Sequence, residues 1–83
     1  MKITWDEPKR LANLDKHGLD FAALEIEFFL DSLVIPAKRG RSMAIGRLGD
    51  GTVIVVFVRL GTEGVSVISM RPANAKERRL FHG

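Results

Sequence analysis

The 83-residue sequence contains no cysteine. That absence excludes a disulfide framework and a thiolate metal site, and it fits a chain that works in a reducing compartment. Histidine is scarce as well. His17 and His82 stand far apart and offer no zinc-ligand spacing, so no metal is expected. Long apolar runs are missing: the longest, Val53 to Val58, is far short of the ~20 residues a membrane helix needs. No membrane contact is expected. Charged Asp6 and Glu7 come too early for a secretory signal, which leaves the cytoplasm as the expected location. No glycine-rich loop runs into a lysine-bearing helix, so a P-loop is excluded and no cofactor is expected. Repeats, linkers and low-complexity tracts are also lacking, and residues 1–83 read as a single domain.

What is present is an ordinary globular composition, 46% hydrophobic, with an uneven distribution of charge. The formal net charge of +3 divides into an acidic first part and a basic second part. Residues 1–33 carry four bases against seven acids, and residues 34–83 carry nine bases against three acids. Such asymmetry points to nucleic acid or an acidic protein as partner, against the plainer reading of a solvated basic surface. The bases crowd where the last apolar alternation meets a basic helix, in SVISMRPANAKERR, which holds Arg71, Arg78 and Arg79. Like charges so close need an offsetting negative group.

The apolar periodicity predicts an α+β fold in the order β-α-α-β-β-β-α. Lys2 to Trp5 alternates as a short strand. Asp6 as N-cap, Pro8 in the first turn and Gly18 as stop bound a first helix with a narrow Leu11/Leu14 face. Asp20 is expected to cap a second helix, DFAALEIEFFLDSL, with two apolar stripes. The stripes are Phe21, Leu24 and Phe28, and Ala22, Ile26, Phe29 and Leu33; the second requires cover from the C-terminal segment or another chain. From Ile35 the period becomes two. Ser42 to Leu48 and Val53 to Val58 read as strands joined by the LGDGT turn, the latter central because it is apolar without alternation. Val65 to Met70 is the last strand, and Asn74 with Glu77 starts the last helix as a capping-box variant. A small antiparallel sheet with helices packed on it follows.

Three blocks of residues carry a resemblance to a known family. WDEPKRLANLDKHGLDF resembles the N-terminal signature of BrnT toxins, W-D-x-x-K-x-x-x-N-x-x-K-H-G-x-x-F, through Trp5, Asp6, Lys9, Asn13, Lys16, His17, Gly18 and Phe21. RSMAIG is similar to R-x-x-A-I-G through Arg41, Ala44, Ile45 and Gly46. VISMRPANAKER is similar to I-S-x-R-x-A-x-x-x-E-R through Ile68, Ser69, Arg71, Ala73, Glu77 and Arg78. The resemblance implies a RelE-like fold and a ribonuclease toxin of a type II toxin–antitoxin system that stops translation. It also implies neutralisation by a BrnA-like antitoxin, through which alone the toxin would meet DNA. The rival expectation is a non-catalytic module that keeps the fold and binds RNA or protein without cleaving.

Metal-free RNA cleavage needs a group to take the 2′-hydroxyl proton, an acid for the 5′-oxygen and cationic donors for the phosphorane. His17 is the candidate proton-transfer group, or else a histidine closing the helix before Gly18. His82, near the chain end, is a second acid or a surface residue. Arg41 and Arg71 are candidate phosphate forks that a meander would bring to the same sheet region, the alternative for Arg71 being a structural salt bridge with Glu77 or Asp6. Glu77 is a cap first and a general base second. Lys16, Lys38, Arg39, Arg78 and Arg79 are candidate RNA contacts, and Trp5 is either a base-stacking platform or core. An antitoxin is expected to lay an apolar segment on the second helix and acidic side chains on Arg71, Arg78 and Arg79.

Overall fold

The computed structural model describes residues 1–82. Strand β1 (Lys2–Trp5) leads into helix α1 (Glu7–His17). Asp6 caps α1 by accepting from the Lys9 N–H, and Gly18 ends it in the left-handed region (φ 69°), where a Cβ would be strained. Arg10 then ties α1 to the next segment, reaching Glu7 within the helix and both carboxylate oxygens of Asp20 at 3.0 Å.

The second helix departs from expectation. Phe21–Ala23 is one 3₁₀ turn, Leu24 and Glu25 are extended, and α2 is confined to Ile26–Asp31. Burial overrides helical periodicity here. The break lets Phe21, Leu24 and Phe28 all enter the core, at 0, 6 and 7% exposure, while Ile26 and Leu33 of the second stripe stay exposed. The chain then forms a strand outside the expected order, β2 (Leu33–Pro36), of which only Leu33 falls within the expected helix. A 3₁₀ turn at Lys38–Gly40 leads to β3 (Ser42–Leu48), β4 (Gly51–Leu60) and β5 (Gly64–Pro72), and α3 (Ala75–His82) ends the described chain.

The five strands form one sheet in the order β1-β5-β4-β3-β2. β3 to β5 make the expected antiparallel meander, which the unforeseen β2 extends, while β1 joins β5 in parallel through Ile3↔Val65 and Trp5↔Val67. β4 is central and buried on both faces, as its unbroken apolar run requires. One face packs Ala44, Val53, Val55, Phe57, Val67 and Met70 under the 3₁₀ turn and α2. The opposite face packs Ile45, Ile54 and Ala73 with Phe81 of α3. Gly46 is the close approach on the first face: a Cβ there would stand 2.8 Å from Cε2 of Phe28. Among the described residues no helix is long and apolar enough to cross a membrane.

Candidate active site

β1 pairs only with Gly64 to Val67, so the second half of β5 has no strand on that edge. Helix α1 occupies the place instead. Its buried Asn13 completes the strand's hydrogen bonding: Oδ1 accepts the Met70 N–H at 3.0 Å, and Nδ2 donates to the Leu19 carbonyl at 3.2 Å. A β-bulge at the same point shifts the register. Phe57 pairs with Val67 and Val56 with Ser69, leaving Ile68 without a partner. The extra residue reverses the alternation, so Met70 turns into the core and Ser69 and Arg71 turn away from it.

Between α1 and this re-aimed segment lies a cleft of about 440 Å³. Lys9, Ala12, Asn13, Lys16 and His17 line it from α1, and Ile68, Ser69, Met70 and Arg71 line it from β5. Positions 9, 13, 16 and 17 share one face of α1 by helical spacing, which is why one edge gathers two lysines and a histidine. Ordinary C-capping leaves the His17 ring available, because the Leu14 carbonyl is taken by the Gly18 N–H at 2.8 Å.

Arg71 is held from behind. Its Nη1 donates to Oε1 of Glu77 at 2.8 Å and its Nη2 to Oε2 at 2.7 Å. Nη1 also reaches the Pro72 carbonyl at 3.3 Å. A guanidinium has five N–H donors. These three bonds leave Nε–H and one Nη2–H, the side-on edge of the fork, which can grip two phosphate oxygens together. Glu77 is fixed in turn by a reciprocal capping box with Asn74: its Oε1 accepts the Asn74 N–H at 2.9 Å and its own N–H donates to Asn74 Oδ1 at 2.8 Å. The Arg71 hydrogen bonds, with the Asn74 N–H, outweigh burial and hold the Glu77 carboxyl at about 2. Among the described residues no group of three His, Cys, Asp or Glu side chains comes close enough to hold a metal.

The sequence profile of the ribonuclease toxin BrnT of type II toxin–antitoxin systems matches residues 5–77. The chain belongs to the BrnT family. A crystal structure of the Brucella abortus ribonuclease toxin BrnT, solved at 1.1 Å, superposes with a TM-score of 0.84 at 55% identity, covering 89% of this chain and 97% of that one. No curated protein matches significantly.

In this BrnT chain two of the three shared blocks meet at the cleft: Lys9, Asn13, Lys16 and His17 from the first, Ile68, Ser69 and Arg71 from the last. The middle block serves packing, with Gly46 under Phe28. Arg41 does not join Arg71. It is extended (φ −88°, ψ 166°) ahead of β3, beside the Val58 row, whereas Arg71 pairs with Ile54 on a strand two places away. Strand spacing and rise put the two about 16 Å apart. The expectation of a common arginine pair is corrected by this register.

Other expected residues are also reassigned. Glu77 is a poor general base, because its oxygens already serve Arg71 and Asn74 and its carboxyl titrates far below neutrality. It fixes the Arg71 guanidinium through both carboxylate oxygens. Trp5 packs edge-to-face on Phe21 with centroids 6.5 Å apart, and its Nε1 donates to Glu7 at 3.2 Å, so its ring belongs to the core and not to a stacking platform. Arg78 donates Nη1 to the Ala73 carbonyl at 2.8 Å. The crowd of arginines is thus offset largely from within, by Glu77 and a carbonyl. Lys38 and Arg39 sit exposed in the turn before β3, away from the cleft, and Arg79 is exposed on α3. His82 meets Thr52 Oγ1 at 3.3 Å, outside the cleft. Lys9, Asn13 and Ser69 were not foreseen as site residues. The helical spacing of Lys9 with Asn13, Lys16 and His17 was the readable signal.

Proposed function

We propose that the cleft between α1 and β5 cleaves single-stranded RNA by attack of a ribose 2′-hydroxyl on the neighbouring phosphorus. The 2′-oxygen–phosphorus bond forms as the phosphorus–5′-oxygen bond breaks, leaving a 2′,3′-cyclic phosphate and a 5′-hydroxyl. The 2′-proton leaves to a base, and a proton is delivered to the 5′-oxygen. His17 is the proton-transfer group of the cleft, since its side-chain type changes charge nearest neutrality. Lys9, Lys16 and the side-on edge of Arg71 hold the phosphate and neutralise the phosphorane, with the Ser69 hydroxyl as a further donor. No step requires a metal or cofactor.

The observation that carries this reading is the unused edge of Arg71, held by Glu77 beside two lysines and a histidine. Residues 1–83 act as a single toxin domain, and mRNA loss stops translation in the cytoplasm. A BrnA-like antitoxin protein neutralises the toxin and supplies its only contact with DNA. The test is cleavage of an RNA oligonucleotide by the purified chain in EDTA, beside the same oligonucleotide with 2′-deoxy sugars. Cleavage of the ribose form alone, lost in His17→Ala, is expected. Binding of both forms without cleavage of either would establish the non-catalytic module instead.

A further inference from the structure

A second groove, of about 310 Å³, lies between α2, the β3–β4 turn and the end of α3. Its chemistry is the reverse of the cleft's. Glu25, Glu27 and Asp31 wall it, Phe28, Leu48 and Phe81 contribute apolar surface, and Arg47 is its single base among the lining residues. Glu27 and Asp31 form one row along α2 at i, i+4, and Ile26 and Leu30 form an exposed apolar row beside it. Leu30 is 75% exposed and Leu80 of α3 53%, surface that the fold leaves uncovered. RNA is repelled by this carboxylate wall. A cationic peptide with apolar anchors is attracted to it.

We propose that this groove is the docking site for a lysine- or arginine-bearing amphipathic segment of the antitoxin protein. The inference rests on the toxin reading and adds where the partner sits. Membership of a type II system supplies a protein partner, and the charge of the groove selects which part of it binds. Of the arginines first expected to receive the antitoxin, Arg71 is partly engaged by Glu77 with its remaining edge assigned to RNA, and Arg78 is engaged by the Ala73 carbonyl. Helix α3 joins the two regions: Glu77 near its start fixes Arg71, and Phe81 near its end lines the groove. Its eight residues span about 12 Å, so a segment seated in the groove and running along α3 reaches the edge of the catalytic cleft.

The full chain is tested with its cognate antitoxin protein by binding kinetics at two ionic strengths, and by RNA cleavage with and without the antitoxin. The double charge reversal Glu27→Lys with Asp31→Lys is expected to weaken binding about tenfold or more, mainly through a slower and less salt-sensitive association. Leu30→Asp, at an exposed position that folding does not need, is expected to speed dissociation about tenfold. Glu63→Lys, in the β4–β5 turn, serves as the control and leaves binding unchanged. Variants that cleave RNA as the parent does and escape the antitoxin support the docking site. Variants that are folded by circular dichroism, cleave, and are silenced at parental affinity overturn it while leaving the ribonuclease reading intact.

Discussion

Replacing Asn13 by alanine probes the joint between fold and site. The side chain is 8% exposed and bridges two backbone groups, the Met70 N–H at 3.0 Å and the Leu19 carbonyl at 3.2 Å. Each buried polar group left unpaired costs about 1–3 kcal/mol. The neighbouring cleft admits water to one side of the joint, which favours the lower half of that range, about 2–4 kcal/mol for the two. Alanine recovers up to about 0.7 kcal/mol through its higher helix propensity. The net loss is then about 2–3 kcal/mol, a fall in Tm of about 10–20 °C for a domain of this size. Urea unfolding followed by the lone tryptophan, Trp5, measures it, because that indole packs on Phe21. Cleavage should fall further than the folded fraction does, since Lys9, Lys16 and His17 ride on the helix that Asn13 anchors. Asn13→Asp keeps the acceptor for Met70 and loses the donor to Leu19, so it should destabilise by a different amount and identify which bond matters more. A loss below about 0.5 kcal/mol in Asn13→Ala would refute the reasoning and show that water replaces the amide freely.

Gly46→Ala places a Cβ 2.8 Å from the Phe28 ring, and the overpacking should cost about 1–3 kcal/mol in urea unfolding, partly restored by Phe28→Leu in the same chain. Arg71→Lys keeps the charge but cannot both hold Glu77 end-on and present a side-on edge, so kcat/KM should fall at least about tenfold, ~1.4 kcal/mol, in a folded protein; parental cleavage would make Arg71 structural. The Glu77 carboxyl is depressed from 4.5 to about 2 in the folded chain, chiefly by Arg71, so its contribution to stability is complete above pH 4.5 and is lost as pH falls toward 2. Glu77→Gln should therefore flatten the acid limb of the stability profile in that window, leaving the parts due to Glu7 and Asp20, which Arg10 and the Ala22 N–H also hold low. An unchanged acid limb would show the pair to be equally formed in the unfolded chain.

Much of the site's chemistry was readable because its signals are local. The lysines, Asn13 and His17 lie within three turns of one helix, and spacing alone puts them on a common face. The bulge too left a trace. Buried positions in β5 run Val65, Val67, Met70, and the step of three between the last two is a slipped alternation. It was read as a plain strand because a single slip also fits a strand that ends early.

Caps, stops and the central strand depend on neighbours a few residues away, and the sequence by itself determined them: Asp6 and Gly18 around α1, the Asn74–Glu77 box at α3, and the unbroken apolar run of β4. Tertiary structure alone decided what joins distant segments. Asn13 meets Met70 across 57 residues, and β1 lies parallel to β5 at the far end of the chain. The second helix breaks so that Phe21, Leu24 and Phe28 enter one core, and the register parts Arg41 from Arg71. Local propensity spans a few tenths of a kcal/mol per residue, whereas burying one large apolar side chain contributes about 1.5–3 kcal/mol. Where the two disagree, burial prevails, and the burial partner of a residue is not written beside it in the chain.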